Sequence, residues 1–297
     1  MSNPLRLTRG TPMPFVDTLA NVLAVPNKIL FLNADFESHQ IDDAVEDSMR
    51  GFVAFHDIQG VRIRLNEYTP LGELWALLAN GRVFIGLRLT IGLLSWLAYC
   101  LNIGRLFGGD HYNPFSDSVN MYSNSKSIAL HELGHVLDFR RRTFPGLYAL
   151  VRMLPIVSLY QEYLASLYAV LYLREVGDVD EEMRAYRLLA PAYSTYVFGA
   201  LVEWFPSTVI RSLMLPVILA GHVLGEGVAQ HRAATIDAED LVRQGDIRRA
   251  RQMFSVATKQ GLENWGTGVG FAIGSSMCGV MAPFGAWIGF RLSQPKQ

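Results

Sequence analysis

Five residues near the middle of the chain, His131-Glu132-Leu133-Gly134-His135, most constrain how it can fold. Their neighbours Ile128, Ala129, Leu130, Val136 and Leu137 carry no charge, so the segment reads as a helix buried in a core. Positions four apart share one helix face, so the two imidazoles can reach a single metal ion. Glu132 lies about 100° round the helix, placed to reach a water on that metal without ligating it. This is the chemistry of the H-E-x-x-H arrangement, two zinc ligands and a general base. Without partners, two imidazoles and a carboxylate would be costly to bury. The alternative is three core polar groups satisfied by hydrogen bonds, with no metal.

The segment Ile128 to Leu137 resembles the active-site helix of the zincin metallopeptidases. The wider stretch Gly109 to Phe139 is similar to a group of uncharacterised bacterial zincin-like proteins. The likeness extends over about residues 28 to 175 and leaves the C-terminal third unexplained. It implies bound Zn2+, hydrolysis of peptide bonds in a protein or peptide substrate, and an edge strand at Ser118 to Tyr122 that binds substrate backbone.

The family also implies a third protein ligand. After His135 the chain reads Val-Leu-Asp-Phe-Arg-Arg-Arg, without the glycine and third histidine of the metzincin branch. The gluzincin type places a glutamate on a second helix. Between Leu147 and Leu173 the only charged residues are Arg152 and Glu162. Ten apart on one helix, they stand about 280° round from each other and should not meet. Glu162 is then an unpaired carboxylate in an apolar helix. Glu162-Tyr163-Leu164-Ala165-Ser166 resembles the E-x-x-A-D signature of short gluzincins, with Ser166 in place of aspartate. Glu162 is the implied third ligand, with Glu175, Glu203 and Asp178 in reserve. Asp138, on the face of the two histidines, is the candidate to steady one of them in place of the missing aspartate. Tyr193, Tyr196, His222 and His231 are the candidates for stabilising an oxyanion.

The rest of the chain is unusually apolar. Hydrophobic residues make up 50% of it and charged residues 18%, against about 25% charged in ordinary soluble proteins. A net charge of −1 excludes a nucleic-acid binder with a basic face. Two cysteines, Cys100 and Cys278, exclude a disulfide scaffold. No cleaved signal peptide is read at the N-terminus.

Several elements are legible. Lys28 to Asn33 reads as a buried strand, Ile41 to Phe55 as a helix, and Val61 to Asn66 as a strand with one wet face. Leu71 to Leu78 reads as a short helix opened by Pro70. Val83 to Ile103 is an apolar helix long enough for a bilayer. His111 to Ser123 reads as an extended pair with an exposed second strand, and Ser125 or Ser127 caps the helix that follows. Gly146 to Leu173 is a second apolar helix, kinked at Pro155. Residues 207–229 and 267–290 are further membrane candidates, the latter with small residues four apart. Arg140-Arg141-Arg142 is a candidate headgroup anchor, and His222, Glu226 and His231 are a weaker second metal set.

The expected fold is α+β: a zincin-like domain over residues 1–180, then a helical, apolar region over 181–297. The expected function is a membrane-associated zinc metallopeptidase, partnered by a lipid bilayer and not by nucleic acid. Its metal site is expected on the cytoplasmic side of an inner or plasma membrane, or at the membrane surface. The alternative is a catalytically silent zinc-binding membrane protein that uses the scaffold to recognise a partner.

Overall fold

The computed structural model of the chain describes residues 5–205 and 207–243, with 249 and 252. The 267–290 run and Cys278 lie outside the described residues. The fold is mixed α/β, mostly helical, with one small sheet.

The sheet has four strands: β1 (Arg6–Arg9), β2 (Arg62–Leu65), β3 (His111–Asn113) and β4 (Ser118–Met121). Their order is β1-β2-β4-β3, with β3 antiparallel to β4 and the other pairs parallel. The expected pairing of residues 111–123 is therefore a hairpin, closed through Pro114 to Asp117. Two expectations need correcting. The stretch from Ser118 is neither exposed nor an edge strand. All four residues of β4 are buried, and β3 covers its outer side. Nor does β2 have a wet face: Arg64 is buried against Glu73 of α4 (Pro70–Ala79).

The two faces of the sheet are covered differently. Ile63, Leu65, Tyr112, Val119 and Met121 face the main core. There they meet α3 (Asp43–Phe55) and α8 (Lys126–Arg140), the helix that carries the pentapeptide. The other face is polar and buried. Glu73 has no exposure and accepts hydrogen bonds from Arg64, Asn113, Ser116 and Ser118. That hub lets α4 sit on a polar sheet face while its own outer side stays apolar.

Before the sheet closes, α1 (Pro14–Leu23) and α2 (Val25–Leu30) run as short helices. The strand expected at Lys28 to Asn33 is instead the end of α2 and a turn. Its apolar run is too short to distinguish the two by periodicity, and Lys28 is drawn into local bonds with Asn21 and the Ala34 carbonyl. The 83–103 run is helical over Ile85–Leu101. It comprises α5 (Ile85–Leu87), a π turn at Arg88–Gly92 and α6 (Leu93–Leu101), followed by α7 (Gly104–Phe107).

Pro155 does not kink a long helix. It opens a new one, with α9 (Pro145–Val151) ending before a turn and α10 (Pro155–Val176) starting at the proline. Among the described residues, α10 is the one helix long and apolar enough to cross a membrane, at a mean hydropathy of 1.2. It packs on α8 and on α11 (Val179–Trp204). The remaining helices are α12 (Thr208–Ser212) and α13 (Met214–Arg243), so the 207–229 run is broken at Leu213. The main core runs through residue 180 without interruption, joining Leu130 and Leu133 to Met183, Leu189 and Ala229.

The three arginines at the end of α8 have partners within the protein. Arg140 pairs with Asp117, Arg141 stacks on Tyr168, and Arg142 binds Asp138. Two of the three charges are thus neutralised by carboxylates, which leaves Arg141 as the exposed cation of the cluster.

Candidate metal centre

The site begins with a helix that has no wet side. Ser125 caps α8, its hydroxyl accepting from the Ile128 amide at 3.4 Å. Every residue from Ser127 to Phe139 is buried. The apolar side chains among them build the core, and His131, Glu132 and His135 are the polar groups that must find partners there.

Gly134 decides where those partners come from. A Cβ at this position would lie 2.3 Å from the Ala165 carbonyl oxygen and 2.8 Å from its Cα. Helices α8 and α10 therefore touch backbone to backbone, glycine against alanine. This close approach places Glu162, less than one turn before Ala165, directly beneath the two histidines. Its Oε2 lies 3.1 Å from His131 Nε2 and 3.3 Å from His135 Nε2. One ligand atom from each of the three residues falls within 4.8 Å of the others, the one such group among the described residues. Four ligands around a tetrahedral ion at about 2.0–2.1 Å stand roughly 3.3 Å apart. Both separations from Glu162 match that spacing, while the group as a whole spans up to 4.8 Å, so the two imidazoles would close on an ion from the positions they hold.

The outer contacts hold the triad in place. His131 Nδ1 lies 3.1 Å from Ser166 Oγ. Serine thus makes the steadying contact that its replacement of aspartate had put in question. Asp138 does not: its carboxylate is bound by Arg142, with Nε at 3.1 Å. That expectation is corrected, because α8 turns Asp138 toward its own C-terminal end. Arg152 does reach Glu162, with Nη2 donating to Oε1. The helical-wheel argument assumed one continuous helix. The break between α9 and α10 puts Arg152 in a turn, from which it folds back over the carboxylate. Pro155 was the available signal, since the residue before a proline avoids the helical region.

Charge follows this geometry. Burial works against charge on His131, but the Glu162 hydrogen bond and charge outweigh it and raise its pKa. Burial would also raise Glu162, yet the histidines hold it well below the usual carboxylate range. Burial pushes His135 down to about 4 despite Glu162. Glu132 is pushed up to about 7 by burial, with the charges of Glu162 and Asp110 adding to it. Glu132 Oε2 and His135 Nδ1 are buried and have no hydrogen-bond partner. Asp110 drew no attention in the sequence. Here it anchors the chain before α8 by accepting from the Tyr122 and Ser123 amides.

The oxyanion candidates separate. Tyr196 reaches the site from the rim: burial of its hydroxyl end first, then the charges of Glu162 and Glu132, raise its pKa, and the hydroxyl hydrogen-bonds Glu162, while 41% of the residue stays exposed. Tyr193, one turn earlier, is pushed up to about 12 by burial and by Glu162. Its hydroxyl is buried without a partner. His222 is not in the site. Its Nε2 lies 2.8 Å from the Leu30 carbonyl, beside a separate cavity of about 790 Å³. Glu226 is tied to Arg187 and Gln230, which removes the second metal set.

Comparison with known proteins finds no matching family model, no similar curated protein and no similar solved structure.

Proposed function

We propose that the protein is a membrane-associated, zinc-dependent peptidase, with His131, His135 and Glu162 as metal ligands and Glu132 as general base. One observation carries this reading. Three donor atoms converge within 4.8 Å of one another, and an unpartnered, proton-accepting carboxylate stands on the helix of the two histidines. A silent structural site has no use for Glu132, which occupies buried space and satisfies nothing there.

A zinc ion at this triad supplies Lewis acidity, which activates water and polarises a carbonyl. The chain's own residues do the rest. Glu132, with a pKa near neutrality, takes a proton from the attacking water and returns it to the leaving amine. Ser166 fixes the ring of His131. Arg152 occupies Glu162 Oε1, so that Oε2 is the oxygen presented to the histidines. Tyr196, on the rim, offers an O–H to the oxyanion. The apolar composition and the uncharged run at 267–290 support residence at a membrane.

The test is metal content by plasma mass spectrometry on wild type, Glu162→Ala and Glu132→Gln, alongside peptide hydrolysis. The proposal expects one zinc per wild-type chain, loss in Glu162→Ala, and zinc without hydrolysis in Glu132→Gln. Zinc in wild type with no hydrolysis of any peptide would favour the silent binding protein. No metal in wild type would remove the enzyme reading.

A further inference from the structure

One face of the molecule is apolar on the outside and carries no unbonded charge from its own elements. It is built from α4, the helical stretch Ile85–Leu101, α9 and the turn after it. These elements belong together, because Leu77, Val83 and Phe115 form a small second core with Leu74, Leu87 and Ala149 packed around it. Gly146 of α9 rests against Val83 and Leu87. Outward from that core point Trp75, Leu94, Leu97, Leu101, Met153 and Leu154, the most exposed being Met153 at 78%.

The charges in these stretches are each bonded within the protein. Residues 70–79, 83–103 and 144–161 contain three charged side chains, Glu73, Arg88 and Arg152. Glu73 is bound to Arg64, Arg88 to the Leu78 carbonyl and Arg152 to Glu162. A surface meant for another protein keeps a polar rim and draws on arginine for contacts. A surface meant for lipid must keep its cations satisfied internally or snorkelled to the headgroups. The chain outside the described residues adds a second argument. Its 267–290 run is 24 residues without a charge, about 36 Å as a helix and long enough to cross a hydrocarbon core of about 30 Å. A span of that length would keep the folded part beside a bilayer.

We propose that this face docks on the lipid bilayer, setting the metal centre at the membrane surface. Arg152, Met153 and Leu154 are consecutive, so the turn that grips Glu162 also inserts into lipid. The substrate class follows: polypeptide embedded in, or anchored to, the membrane, entering along the interface. The docking is independent of the peptidase reading above, on which the substrate class rests.

The experiment places a single environment-sensitive fluorophore on the full chain, in a Cys100→Ser, Cys278→Ser background. The positions are Leu97→Cys and Met153→Cys on the face, and Asp47→Cys on the outer side of α3, across the sheet. Each protein is reconstituted into phosphatidylcholine–phosphatidylglycerol vesicles with and without lipids brominated in the chains. Docking predicts at least about twofold more quenching at 97 and 153 than at 47, as for a face sunk about 5–10 Å. All three label sites are exposed, so folding is not at stake. Equal quenching at the three positions would overturn the proposal, as would protein that does not stay with the vesicles. Shielding of 97 and 153 in detergent, with the mass of two chains, would overturn it too, by giving the face to a second copy. Peptide hydrolysis measured on the wild-type chain in the same vesicles separates the two readings: quenching at 97 and 153 in a wild type that hydrolyses no peptide leaves the docking intact and removes only the peptidase.

Discussion

Replacing Gly134 by alanine sets two physical effects against each other at one atom. On an ordinary helix the change stabilises, because alanine is favoured over glycine by about 1 kcal/mol. Here the new methyl would stand 2.3 Å from the Ala165 carbonyl oxygen and 2.9 Å from its carbonyl carbon. Ordinary contact between such atoms needs about 3.5 Å, so α10 must retreat by roughly 1 Å. Neither neighbour is a flexible side-chain end that could swing aside. Overpacking of this kind costs about 1–3 kcal/mol, enough to cancel the propensity gain or exceed it. The retreat also draws Glu162 away from His131 and His135. We therefore expect Gly134→Ala to be less stable than wild type in urea with chelator present, so that metal plays no part in the difference. We also expect zinc affinity to fall by about tenfold or more, as when a ligand's support is lost. A variant equally or more stable, binding zinc as tightly as wild type, would refute the claim that this glycine sets the helix spacing and through it the site.

Further outcomes follow from single contacts. Ser166→Ala removes the partner of His131 Nδ1 and should weaken zinc binding by about 10–100-fold in competition with a chromophoric chelator; unchanged affinity would show that the serine orients nothing. Glu73→Ala strands the buried Arg64 charge and should cost about 3–5 kcal/mol in chemical denaturation, while surface Glu46→Ala should cost under about 1 kcal/mol. Burial holds the pKa of His39 below its usual 6.5, so the unfolded chain takes up the proton first as pH falls. Stability should thus decline below about pH 6.5, and His39→Gln should show a smaller loss between pH 8 and pH 5 than wild type does.

The sequence by itself determined the local chemistry. Two histidines four apart with a glutamate between them, in an otherwise apolar run, specify a buried helix whose imidazoles share a face. Nothing beyond helix periodicity is needed for that. The capping serine, the α3 helix and the 111–123 hairpin were legible for the same reason: each is set by neighbours a few residues away. Short apolar runs such as Lys28 to Asn33 were not, because their composition suits strand and helix alike.

Tertiary structure decided what lies across from what. Glu162 was implied only by family likeness, and its partner Arg152 was excluded by a helical wheel that the chain does not follow. Tyr196 and His222 looked equal in the sequence, yet one reaches Glu162 and the other a carbonyl in α2. Strand order reversed the expected edge, burying β4 behind β3. Such facts depend on contacts between segments tens of residues apart, where no periodicity speaks. In this protein they turn on one close approach, Gly134 against Ala165, which brings a carboxylate on one helix beneath two imidazoles on another.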